Sequence, residues 1–103
     1  MTFVAISQHT AAQCPGHNKE LYDTVKETMP KLPAIGEKLG VKILGAHALL
    51  SRHKTVIILE AASYESVEQM MLEAGLIGWN TIDIAQAHSL EDALTNAPVA
   101  RAE

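Results

Sequence analysis

From Thr2 to His9 the chain is apolar on both sides of an extended backbone. Val4 and Ile6 fall on one face, and Phe3, Ala5, Ser7 and His9 on the other. The pattern predicts a strand whose two faces both need cover. A second strand is expected over Val41 to Leu50, with Gly45 as a weak point or bulge. A third is expected over His53 to Ala61, centred on Thr55-Val56-Ile57-Ile58-Leu59. Ser51-Arg52 leaves so short a connection between these two that they form an antiparallel hairpin. The last strand runs from Asn80 to His88, where Ile82 and Ile84 alternate with Asp83.

Between the strands the hydrophobic period changes. Cys14-Pro15-Gly16 marks a turn, and Asn18 is a natural helix N-cap. Leu21, Val25, Met29 and Leu32 then recur at helical spacing, with Lys19, Glu20, Asp23, Lys26 and Glu27 mostly on the other side. Pro30 ends or kinks this helix, because it has no amide proton and clashes with the preceding turn. Pro33 suits the first turn of a second short helix carrying Ile35 and Leu39, and Gly40 suits its C-terminus. Ser63 caps a helix to about Ala74, with Tyr64, Val67, Met70, Met71 and Ala74 as its stripe; Gly75 and Gly78 stop it. Ser89-Leu90-Glu91-Asp92 resembles a capping box, with Asp in place of Glu. The expected organisation is a single domain over residues 1–94, with a flexible tail over 95–103.

The order β-α-β-β-α-β is that of a ferredoxin-like α+β sandwich. Its four-stranded antiparallel sheet places the first strand between the third and fourth and the second at an edge. Helices cover one face only. The other face is apolar here as well, and the simplest cover is the same face of a second copy. In element order and two-sided strands across residues 2–94 the chain resembles the dimeric α+β barrel superfamily of small bacterial proteins. That resemblance implies two sheets packed back to back in a homodimer. The superfamily includes cofactor-free monooxygenases, muconolactone-isomerase-like enzymes, haem-degrading enzymes and small stress-responsive metal binders.

Composition narrows the partners. A net charge of −4 with scattered Lys and Arg argues against nucleic acid and against an anionic membrane surface. Aromatic residues at 4 % provide no stacking platform for bases. No apolar run approaches the ~18 residues that span a bilayer. Phe3 opens the apolar run with no basic segment before it, so no signal peptide is expected. One cysteine excludes an internal disulfide and fits a reducing compartment, so a cytoplasmic location is expected.

Candidate chemistry gathers where the first strand meets the first helix. If the first and third strands are antiparallel neighbours, the end of one lies beside the start of the other, and His9 lies near His53. Cys14, five residues on in a turn, can fold back over the strand ends. A thiolate with two imidazoles suits zinc, copper, nickel or iron, and Cys14-Pro15 is also a setting for thiolate ligation of haem. His17 and His47 are reserve ligands, although His47 falls roughly 10 Å from the hairpin tip at ~3.3 Å per residue. His88 belongs to the opposite end of the sheet. Other readings stay open. Cys14 also fits a redox or nucleophilic thiol with His9 or His17 as base, or a small buried hydrophobe. His9, His53 and Asp83 are candidate proton carriers if the protein is an enzyme acting on a small apolar or aromatic molecule between helices and sheet. Asp83 equally fits a charge guarding an edge strand, and Glu60 a strand end in water. Trp79 is placed either to wall the His9–Cys14–His53 region or to pack at a dimer seam. The favoured function is a small homodimeric, or higher homo-oligomeric, transition-metal-binding protein.

Overall fold

Eight regular elements follow one another in the computed structural model, which describes residues 1–96. They are β1 (Thr2–Gln8), α1 (Lys19–Thr28), α2 (Leu32–Leu39), β2 (Lys42–Leu49), β3 (Lys54–Glu60), α3 (Tyr64–Glu73), β4 (Thr81–Ala87) and α4 (Leu90–Asn96). The expected tail begins two residues inside α4, and residues 97–103 lie outside the described residues. The sheet has the order β2-β3-β1-β4, with every pair antiparallel. That is the ferredoxin-like strand order, and the sheet is open, with β2 and β4 at its edges.

Local chemistry sets the boundaries. The Asn18 side chain accepts the Leu21 amide at 3.1 Å and starts α1. Pro30 sits in a 3-10 turn, Met29–Lys31, that joins α1 to α2. Gly40 takes the left-handed conformation (φ 71°), so that its amide reaches Glu37 O and the Val41 amide reaches Gly36 O. This Schellman arrangement turns the chain into β2. Ser63 caps α3 by accepting the Ser66 amide. Leu44 is an extra residue between Ile43, opposite Leu59, and Gly45, opposite Ile58, which makes the bulge expected near Gly45.

The core lies between the helices and one face of the sheet. Phe3 and Ala5 from β1 meet Ile57 and Leu59 from β3, and Val67, Met70 and Met71 of α3 close over them. A side-chain carbon at Gly36 would stand 2.6 Å from Val41 O and 3.2 Å from Met70 Cε, so glycine is what lets α2 lie against α3. Among the described residues no element covers the opposite face. Val4, Val56 and Ile58 are half-buried by their neighbours alone, and Ile6 is 39 % exposed. Among the described residues α4 packs closely on no other element, and its Leu90 and Leu94 are 83 % and 71 % exposed. Among the described residues no helix is long and apolar enough to cross a membrane.

Candidate metal centre

The site is built where β1 and β3 run out together. Their register pairs Gln8 with Lys54. One step further, the His9 amide donates to His53 O at 3.1 Å, so the ladder continues into the two histidines. His53 ends a 3-10 turn over Leu50–Arg52 and has φ 53°. It is the sole non-glycine with positive φ among the described residues. Such a conformation costs about 1 kcal/mol or more and is commonest for Asn, Asp and His.

Cys14 reaches this point by a second 3-10 turn. Thr10 caps Ala11–Gln13 by accepting the Gln13 amide at 3.3 Å, and the Cys14 amide closes the turn on Ala11 O. The carbonyl of Cys14 then accepts the amides of His17 and Asn18, both at 2.9 Å, which holds the cysteine at the entrance to α1. One ligand atom from each of His9, Cys14 and His53 lies within 4.8 Å of the other two. A tetrahedral ion with bonds of about 2.0–2.3 Å holds its donors roughly 3.3–3.6 Å apart. Side-chain rotations on the order of 1 Å would therefore close the group on an ion.

The imidazoles are poised in a particular way. His9 Nε2 and His53 Nδ1 are buried and have no hydrogen-bond partner among the described residues. On its other side His9 Nδ1 lies 3.3 Å from Asn80 Oδ1. The Asn80 amide nitrogen donates to Leu76 O at 3.0 Å, which fixes which end of the amide faces the histidine. An oxygen facing Nδ1 requires the proton on Nδ1, and leaves a lone pair on Nε2. Asn80 thus selects the tautomer that leaves Nε2 free to accept a ligand. The rings also restrain one another: His9 meets His53 edge-on at 5.6 Å between centroids and Trp79 at 5.4 Å.

A cavity of about 390 Å³ opens beside the three residues, between α1, α2 and the sheet. Trp79 forms part of its wall, as one of its two expected placements required. Its remaining lining is mostly apolar, with Val25, Leu32, Ile43, Ile57 and Leu76 among the contributors.

The other sequence candidates lie elsewhere. His17 is exposed and outside the group. His47 borders the cavity, but it pairs with Val56, whose side chain is on the uncovered face. Consistently, its Nε2 lies 3.5 Å from where a Gly45 side-chain carbon would stand. It therefore offers no fourth ligand within one chain. His88 follows β4 at the Thr2 end of the sheet, opposite to His9, and is exposed. Asp83 is exposed on the uncovered face, opposite Ile6, and takes no part in the cavity of its own chain. Glu60 is exposed at a strand end. Asn80 was readable in the sequence only as a strand-entry residue, because its role depends on the turn that brings Leu76 O within reach.

Comparison with models of known protein families found no match, and comparison with curated proteins found none. The chemistry therefore rests on the geometry. One consequence concerns Asn80. Asn80→Ala is expected to weaken metal binding about 10- to 100-fold, the usual effect of removing a partner that orients a ligand. Chelator competition measures it, and unchanged affinity with the fold intact would dismiss the orienting role.

Proposed function

We propose that this chain is a small transition-metal-binding protein in which His9, Cys14 and His53 supply three ligands. The observation that carries the proposal is the pair of buried imidazole nitrogens, His9 Nε2 and His53 Nδ1, beside a cysteine and without partners among the described residues. An unpaired buried polar atom costs about 1–3 kcal/mol, and a metal ion would offset two such costs at one point. Mixed imidazole and thiolate donors suit zinc or copper first, with nickel and iron as further candidates. Haem iron offers protein ligands only its two axial positions, on opposite sides of the ring. Three clustered donors favour a bare ion over haem. They also leave a fourth coordination position open.

The protein is expected to work as a homodimer like those of the dimeric α+β barrel superfamily, in a reducing compartment such as the cytoplasm that keeps Cys14 as a free thiol. Support for the dimer is the apolar centre of the uncovered sheet face, Val4, Ile6, Val56 and Ile58. The test of the metal reading is direct. Native protein analysed for metals, then stripped and titrated, should carry or bind about one ion per chain. No measurable affinity for zinc, copper, nickel or haem would end the proposal.

A second reading has one observation in its favour. An enzyme acting on a small apolar or aromatic molecule needs space between helices and sheet, and the 390 Å³ cavity supplies it with His9 and His53 in its wall. The two readings are compatible, because a bound ion with an open position can itself activate a ligand.

A further inference from the structure

We propose that the cavity beside the three ligands binds an apolar monoanion whose charged head takes the fourth position on the metal. This rests on the metal reading above and adds to it the class of ligand.

Size comes first. A cavity of about 150 Å³ accommodates benzene. One of about 390 Å³ has room for a body roughly two and a half times as large. This falls in the range of small-molecule sites. The space exists because α1 stands off the sheet. The helix carries an apolar stripe through Val25, yet none of its residues is fully buried. Val25 and Met29 instead line the cavity, facing Ile43 and Ile57 of the sheet. Ala46 and Ala48 of β2, opposite Ile57 and Thr55 of β3, are too small to fill it.

Charge comes second. Among the described residues no carboxylate lines the cavity, and the one Lys in its lining is Lys54. Lys54 pairs with Gln8 and Leu49, and strand alternation sends its side chain to the uncovered face. Asn80, which could otherwise bind a polar group, is engaged with His9 and Leu76. Ser7 and Thr55 also line the cavity but offer only neutral hydroxyls, so a charged head finds its one oppositely charged partner in the metal. A divalent ion held by one thiolate and two neutral imidazoles carries a net charge of +1. In an apolar surround that charge favours a single negative charge opposite it. The fitting ligand has a carboxylate or thiolate head and a hydrocarbon body of several carbons.

The test uses the full chain loaded with cobalt(II), whose visible spectrum reports the cysteine and the fourth ligand. Acetate and hexanoate are compared as carboxylates, and ethanethiol and hexanethiol as thiols. Each buried methylene tightens binding about fourfold. Hexanoate or hexanethiol should therefore bind on the order of 100-fold tighter than its short counterpart, with a shifted cobalt spectrum. The series with the larger spectral change identifies the head group. Ala46→Leu, which narrows the cavity away from the ligands, should keep the cobalt spectrum and lose the chain-length preference. If cobalt binds but chain length has no effect, the ligand proposal fails and the metal site stands. Equal hexanoate and hexanethiol binding to metal-free protein would also overturn it, because the head would not then sit on the metal. If no cobalt binds, the metal reading itself fails.

Discussion

Cys14→Ser is expected to weaken zinc binding by more than about 100-fold while leaving the metal-free fold in place. Removing a mere orienting partner already costs 10- to 100-fold, and a donor that carries the site's only negative charge contributes more. A serine hydroxyl keeps its proton near neutral pH, so the variant offers the ion two neutral imidazoles and no thiolate. The fold has little reason to notice. Cys14 holds the turn through its backbone, by accepting the amides of His17 and Asn18, and serine makes the same bonds. The cysteine is only half-buried and outside the apolar core, so little buried area is lost. Affinities within tenfold of each other would remove Cys14 from the ligand set.

How these residues meet was partly legible in the sequence. Turn residues at Cys14-Pro15-Gly16, Gly40, Ser51-Arg52 and Gly75 divide the chain into elements whose order admits the observed sheet. Once β1 and β3 are antiparallel neighbours, His9 and His53 follow from register alone. What remained hidden depended on single residues. His47 borders the cavity despite its distance from the hairpin tip, so distance alone does not exclude it as a ligand. Parity does. Without the extra Leu44, His47 would fall on the helix-facing side of β2; the bulge moves it to the other face. The sequence marked Gly45 as a weak point but could not fix how many residues the bulge inserts. Asn80 was hidden for another reason. Its tautomer-setting contact joins residues 71 apart in sequence and depends on the 3-10 turn after α3. The cavity was hidden too, because periodicity shows which side of α1 is apolar and says nothing of how closely that side approaches the sheet.

The uncovered sheet face leads to the second large effect, in which Ile6→Lys is expected to convert a dimer into monomers. Ile6 lies on the central strand β1, between Val56 of β3 and Asp83 of β4. At 39 % exposure it projects far enough to meet a second copy. In a back-to-back dimer, lysine at this position would bury an ammonium group against Val4, Val56 and Ile58 of either chain. Burial of such a charge without compensating hydrogen bonds costs several kcal/mol, and a two-fold interface incurs it twice. The single chain avoids that cost. There the introduced ammonium can reach water and the exposed Asp83 carboxylate directly across the strand pair, a favourable cross-strand arrangement. The variant should therefore fold, keep the His9–Cys14–His53 group on the far side of the sheet, and bind metal with unchanged stoichiometry. Sedimentation at micromolar concentration should give twice the chain mass for wild type and the chain mass for Ile6→Lys. Added salt should not restore the dimer, because screening in water does little for a charge that association would bury in an apolar seam. A wild type that sediments as a monomer, or an Ile6→Lys variant that remains dimeric, would mean that the apolar sheet face is not the surface through which copies associate.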